Sequence, residues 1–273
     1  MRTIVHLSDL HFGRVDPALV EPCIEAVHQA KPNVVVISGD LTQRARTHQF
    51  LEAKQFLERL PTPQIVVPGN HDVPLYDVIR RFARPFSKYK RNISHDLEPY
   101  YEDSEMAVVG LNTAHGFTIE SGRAKPKLVA RARERLCRVP DGLLKIVVTH
   151  HPFDLPHAVE ERHIVRGAVS ALAELVHCGA DIFLAGHIHL FHSGLTTRRY
   201  RVPGNAALII QAGTGLSTRT RGEVNAFNVI HADAKRLELQ RFSWSPEQKK
   251  FTMACSEWFR ETETGWMSDA NAA

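Results

Sequence analysis

The sequence predicts an α/β domain, and three observations predict it. Up to about residue 190, short β-branched apolar runs alternate with amphipathic helical patterns. Beyond that point helical periodicity fades and strand-like stretches follow one another, so the second half supplies a further sheet. The apolar runs of the first part also end in Asp, Asn or His, which places polar chemistry at strand ends.

In order along the chain, residues 2–8 read as a first strand, followed by the loop Asp9-Leu10-His11-Phe12-Gly13. Asp16-Pro17 starts a helix, with Asp as N-cap and Pro at the first helical position. Leu19, Val20, Ile24 and Val27 form its apolar face, and Pro32-Asn33 ends it. Val34-Val35-Val36-Ile37 is a continuous apolar run, read as a strand covered on both faces and closed by Ser38-Gly39-Asp40. Residues 47–60 predict a second helix with Phe50, Leu51, Leu57 and Leu60 inward. Ile65-Val66-Val67 is a buried strand stopped by Pro68-Gly69. A basic helical segment at 75–91, a strand at 107–111, a helix at 126–138 and a strand at 145–148 follow. A helix at 169–177 stops at Gly179, and Ile182-Phe183-Leu184 is the next strand. Strands near 191–197, 207–212, 226–231 and 237–244 come next, then a turn through Ser245-Pro246 to a last strand near 251–255. Residues 1–262 are expected to form a single domain and 263–273 a flexible tail.

Of 273 residues, 43% are hydrophobic and 23% charged, the balance of a soluble globular protein. No apolar run is long enough to span a bilayer, and the N-terminus enters a strand without a signal-peptide pattern, so a cytoplasmic protein is expected. A net charge of +4 helps to attract an anionic substrate but does not argue for nucleic acid. The cysteines Cys23, Cys137, Cys178 and Cys255 form no Cys-x-x-Cys pair and are expected to be reduced, mostly core residues.

The chemistry gathers in five short blocks. Asp9 and His11 alternate in a strand-end loop, offering one hard oxygen and one nitrogen suited to Zn²⁺, Fe or Mn²⁺. Asp40 follows a glycine at a strand end, where its two oxygens can each take a cation. In Gly69-Asn70-His71-Asp72, Asn70 offers a carbonyl oxygen, His71 a proton donor, and Asp72 a carboxylate to orient that imidazole. Thr149-His150 ends another strand, and His150 rather than His151 is taken as the ligand. Gly186-His187-Ile188-His189 repeats the alternate spacing. His192, Arg123 and Arg219 are candidate substrate contacts, with Arg221 beside Arg219. Arg44, Arg46 and the run Arg198-Arg199-Tyr200-Arg201 read as surface charges.

The order Asp-x-His, Gly-Asp, Gly-Asn-His-Asp, His, Gly-His-x-His resembles the calcineurin-like metallophosphoesterase superfamily over roughly residues 3–230. The short chain, Gly122-Arg123, and Ala212-Gly213-Thr214 running into Ser217-Thr218-Arg219 look like its class III cyclic-nucleotide phosphodiesterase branch. The resemblance implies a four-layer β-sandwich flanked by helices, with a metal site at strand ends. It implies two divalent or trivalent ions, Mn²⁺, Fe²⁺/Fe³⁺ or Zn²⁺. One would be held by Asp9, His11, Asp40 and His189, the other by Asp40, Asn70, His150 and His187. The activity implied is hydrolysis of a small phosphodiester, 3′,5′-cyclic AMP among the candidates, by in-line attack of a hydroxide shared by both ions. His71 would protonate the leaving group. The alternatives are a hydrolase of another phosphodiester or pyrophosphate, with a nucleic-acid or lipid-precursor substrate, and a non-catalytic scaffold, which would lack some of these ligands. The aromatic segment holding Trp244, Phe251, Trp258 and Phe259 is compatible with packing on its own core or in a homodimer.

Overall fold

Alternation along each strand sends neighbouring apolar side chains into different cores. In β1 (Arg2–Leu7), Ile4 faces one core while Val5 and Leu7 face another. The computed structural model describes residues 1–156, 159–200, 206–220 and 222–269. After β1 come α1 (Pro17–Gln29), β2 (Val34–Ile37), α2 (Thr47–Leu57), β3 (Gln64–Val66), α3 (Val78–Ala83) and α4 (Ser87–Asn92). The middle of the chain forms β4 (Tyr100–Glu102), β5 (Met106–Gly110), α5 (Pro126–Arg138), β6 (Leu144–Val148), α6 (Ala168–His177) and β7 (Ile182–Ala185). The remainder is β8 (His192–Leu195), β9 (Leu208–Gln211), β10 (Ala226–Ala232), β11 (Arg236–Ser245), β12 (Lys250–Thr262) and β13 (Gly265–Ser268).

Two sheets result, ordered β13-β12-β11-β10-β1-β2-β3 and β4-β5-β6-β7-β9-β8. Between them pack Ile4, Val36 and Ile65 against Val108, Ile146 and Leu184. On the outer face of the first sheet, Val5 and Val35 meet Leu19, Ile24 and Phe50 of α1 and α2. On the outer face of the second, Val109, Val147 and Phe183 meet Leu136, Leu172 and Leu175 of α5 and α6. The layers run helix, sheet, sheet, helix, as the family resemblance implies. Parallel pairing then levels the strand ends. Leu7 pairs with Ile37 and Ile37 with Val66 in the first sheet, and Val148 pairs with Leu184 in the second. The loops that leave these ends therefore share one edge.

Several local expectations are corrected. Leu51 is exposed, because the inward face of α2 repeats through Phe50, Ala53, Phe56 and Leu57. The segment 75–91 divides into α3 and α4 at Arg84-Pro85, since the residue before a proline avoids helical backbone. The division leaves Tyr76, Ile79 and Phe82 exposed. The last strand continues past 255 to Thr262, and residues 265–268, expected in a tail, pair back on it as β13. Residues 270–273 of that tail lie outside the described ones. Cys137 and Cys178, expected to be reduced, form a disulfide, because α5 and α6 lie side by side on the second sheet and bring their ends together. Phe251 and Phe259 are buried, and Trp244 packs against Phe251, so these rings serve the chain's own core. Among the described residues no helix is long and apolar enough to cross a membrane.

Trp266 anchors β13. Its ring is buried between the sheets and its Nε1–H donates to Asp181 at 3.1 Å. Trp266→Ala is expected to cost about 3–5 kcal/mol by loss of packing and the cavity left behind. Chemical denaturation reads this directly, and an unchanged midpoint would mean that β13 adds nothing to the fold.

Candidate metal centre

Seven polar side chains meet where the two sheets share their edge. Asp9 and His11 follow β1, Asp40 follows β2, and Asn70 opens a short 3₁₀ turn after β3. His150 follows β6, and His187 and His189 follow β7. The chain turns sharply at these ends. Asp9, His11, Asp40, His187 and His189 all have left-handed backbones, with φ between 51° and 77°. That region costs an ordinary L-residue about 1–2 kcal/mol. Two glycines allow the ends to touch. A Cβ on Gly186 would stand 1.8 Å from Ser8 Oγ and 2.6 Å from Asp9 Oδ2, and one on Gly69 would stand 2.1 Å from Asp40 Oδ1.

The donors fall into two groups that share Asp40. In one, His11 Nε2 lies 3.6 Å from Asp9 Oδ1, 3.7 Å from Asp40 Oδ2 and 3.3 Å from His189 Nε2. His189 Nε2 lies 3.4 Å from Asp9 Oδ1. In the other, His150 Nε2 lies 3.4 Å from Asp40 Oδ1 and 2.9 Å from Asn70 Oδ1, and His187 Nδ1 lies 3.0 Å from Asn70 Oδ1. The outer atoms of these ligands are held. Asn70 Nδ2 donates to the Ile119 carbonyl, His150 Nδ1 to that of Ser38, and His189 Nδ1 to that of Arg219.

This arrangement fits metal ions. With Nδ1 of His150 and of His189 donating to carbonyls, each Nε2 turns a lone pair onto other acceptor atoms. Asp9 Oδ1 is buried without a hydrogen-bond partner. A cation between such atoms relieves the repulsion, and two carboxylates, imidazoles and one amide oxygen suit Zn²⁺, Fe or Mn²⁺. The charges agree. Burial alone would raise Asp40, but His150, His71 and His11 hold it well below the carboxylate range. Asp9 is likewise lowered against burial, by His189 and His11. Burial alone would lower His150, yet Asp40 and Asp9 push it up to about 9, so a proton on Nε2 competes there with a cation. Burial and the neighbouring His150 hold His187 well below the usual imidazole value.

The other sequence candidates divide. His71 adjoins the centre: its N–H donates to Asp40 Oδ1 at 2.8 Å and its ring lies 4.8 Å from that of His11. Asp72 does not orient it. The 3₁₀ turn aims the Asp72 carboxylate at backbone N–H groups of Gly69, Leu41 and Thr42, while His71 Nδ1 meets the Gln43 carbonyl at 2.8 Å. Arg219 reaches the site, with Nη1 3.3 Å from His71 Nε2. Arg123 does not. It pairs with Arg166 along the backbone and opens onto an outer groove with Pro126 and Glu174. His192 faces Asp154 at 3.9 Å instead of the centre. Arg221 and Arg201 lie outside the described residues. Arg44, read as a surface charge, has Nη1 3.2 Å from His71 Nδ1. The signal for Gln43 and Arg44 was their position in the loop that Asp40 opens. His163, 3.3 Å from His187 Nε2, carried no strand-end signal.

A sequence model of the family described as calcineurin-like phosphoesterase matches residues 2–191. A glycerophosphodiester phosphodiesterase GpdQ from Enterobacter lignolyticus is 27% identical over 223 residues, covering 72% of this chain and 73% of that protein. A probable cyclic nucleotide phosphodiesterase from Synechococcus is 25% identical over 212 residues, covering 71% and 77%. A probable GpdQ from Arcobacter nitrofigilis is 25% identical over 161 residues, and the match spans only 56% of its length and 55% of this chain. Among solved structures, a purple acid phosphatase from yellow lupin superposes with a TM-score of 0.71 at 12% identity, over 93% of this chain and 53% of that one. A dimetal phosphatase from Danio rerio does so with a TM-score of 0.56 at 14% identity, over 92% and 98%. At these identities the structural likeness speaks for the fold alone.

The contact at Gly186 gives a test. Gly186→Ala is expected to push Ser8 and Asp9 apart and lower the metal content of reloaded protein, read by elemental analysis. Gly213→Ala, where an added Cβ would meet nothing closer than 3.9 Å, is expected to keep it. Full metal content in Gly186→Ala would mean that this backbone approach does not set the site.

Proposed function

The chain belongs to the calcineurin-like phosphoesterase family, and we propose that it is a metal-dependent phosphoester hydrolase, specifically a two-metal phosphodiesterase of small phosphodiesters. The observation that carries this reading is the division of Asp40. One of its oxygens faces His11 and the other faces His150, so one buried carboxylate serves two donor groups. Asp9, His11, Asp40 and His189 would hold one ion, and Asp40, Asn70, His150 and His187 the other. Bound there, two ions would neutralise the phosphoryl oxygens and lower the pKa of a water that serves as the nucleophile.

The chain's own residues supply the rest. The Gln43 carbonyl fixes His71 through Nδ1, so Nε2 points into the adjoining cavity. In the imidazolium form, with a second proton on Nε2, His71 gives that proton to the leaving alkoxide, which cannot depart readily as an anion, and remains neutral with its Nδ1–H on the Gln43 carbonyl. Asn70, anchored by Ile119, keeps its oxygen turned inward without adding charge. Asp72 acts by holding the loop: it ties Gly69, Leu41 and Thr42 together behind His71. Among substrates, cyclic nucleotides such as 3′,5′-cyclic AMP and glycerophosphodiesters are the first to test, since relatives are named as a probable cyclic nucleotide phosphodiesterase and as a glycerophosphodiester phosphodiesterase.

The protein reloaded with Mn²⁺ is expected to hydrolyse bis(p-nitrophenyl) phosphate. On a dialkyl diester that the wild type turns over, whose leaving group is an alkoxide, His71→Ala is expected to lower kcat by about 10²-fold or more with metal retained, and by less on bis(p-nitrophenyl) phosphate, whose phenolate leaves unprotonated, whereas Asn70→Ala is expected to lose metal and activity together. Metal-loaded protein without turnover on this or any diester would remove the proposal. Full activity in His71→Ala on the dialkyl diester would remove the proton-donor role alone.

A further inference from the structure

A cavity of about 160 Å³ adjoins the metal centre, and three guanidinium groups line it: Arg44, Arg81 and Arg219. His71 touches both spaces. Arg44 Nη1 lies 3.2 Å from its Nδ1, and Arg219 Nη1 lies 3.3 Å from its Nε2. Gln43 sits between the two arginines. With its amide turned so that the oxygen faces them, it accepts from Arg44 at 2.7 Å and Arg219 at 3.1 Å. Arg81 is buried and donates to the Pro74 and Thr118 carbonyls. Among the described residues no carboxylate makes an ion pair with Arg44 or Arg81. Glu120, on the cavity wall, faces Arg162 at 3.7 Å. Val73, Leu75 and Ile119 supply an apolar wall, which lowers the local dielectric and strengthens any charge recognised there.

We propose that this cavity is a subsite for a second anionic oxygen group, phosphate or carboxylate, on the leaving half of the diester. The inference rests on the phosphodiesterase reading and narrows its substrate class. His71 delivers its proton to the leaving oxygen, so whatever lies beyond that oxygen enters the cavity that His71 faces. Pockets for whole small molecules start at roughly 300 Å³, so this space takes one group and not a molecule. Guanidinium groups match planar or tetrahedral oxyanions with paired N–H donors. Cyclic AMP, with a single charge, brings no second oxyanion to this cavity and is expected to be the poorer substrate.

The test compares methyl 4-nitrophenyl phosphate with methyl 3-carboxy-4-nitrophenyl phosphate, whose leaving group carries the extra carboxylate. The metal-loaded wild type is expected to favour the carboxylated ester in kcat/KM by at least about tenfold. Arg44→Gln is expected to lose at least tenfold more on that ester than on the plain one, and Arg44→Lys, which keeps the charge, is expected to retain part of the preference. Equal losses on both esters would overturn the subsite and make Arg44 an aid to the reacting phosphoryl group. So would a wild type that does not favour the carboxylated ester. Should neither ester turn over, the phosphodiesterase reading fails by itself. Calorimetric binding of the two esters then reads the subsite: tighter binding of the carboxylated ester, lost in Arg44→Gln, supports it, and equal affinity overturns it.

Discussion

Asp40 is a carboxylate with 1% of its surface exposed, at the edge of an otherwise apolar sandwich. An isolated charge in that position costs several kcal/mol after relaxation, so its neighbours are not optional. One oxygen accepts the His71 N–H and faces His150, and the other faces His11. These partners come from three different strand ends and from both sheets. The level register of β1, β2 and β3, and of β6 and β7, exists at just the edge where this one side chain requires company. A slip of one residue in any of these pairs would turn apolar side chains out of the core and carry the ligands away with them.

The convergence strains the backbone, and the cores are what tolerate it. Five left-handed residues in one site are stable only where the surrounding structure over-determines them. Here each strained end follows a strand packed on both faces, such as Val34–Ile37 between its two cores. The turns that follow β1 and β2 are also tied to each other. The N–H groups of Asp9, His11 and Phe12 donate to the carbonyls of Gly39, Asp40 and Leu41, which continues the pairing of the strands into their loops. Rigidity reaches the donor residues through that ladder.

Much of this was legible in the sequence because strand ends are easy to see. A β-branched run followed by Asp, Asn or His states both the element and the position of the polar residue on it. Asp72 shows the limit of such reading. It adjoins His71 in sequence, but a 3₁₀ turn points consecutive side chains in different directions, and the carboxylate goes to backbone N–H groups instead. Arg44 shows the converse. Four residues past Asp40, it looks like one more solvated cation until the loop folds it onto His71. Arg123, on a loop, and His192, at the start of β8, carried plausible chemistry whose direction only the second sheet decides. The Cys137–Cys178 pair is 41 residues apart and appears only once α5 and α6 lie together.

Arg219 joins the two halves of the chemistry without belonging wholly to either. Its carbonyl accepts from His189 Nδ1 and so sets which nitrogen of that imidazole faces the metal centre. Thr214 Oγ1 supports the same nitrogen at 2.8 Å. Its guanidinium, meanwhile, reaches His71 Nε2 on the far side. The backbone task can be done by any residue in that conformation, whereas the side-chain task needs a cation with several donors. Substitution at this position can therefore alter what the cavity accepts while leaving the orientation of His189 in place. A fold built this way keeps its candidate metal ligands on strand ends, where change is costly, and most of the side chains that line the adjoining cavity on the loops above them, where change is tolerated.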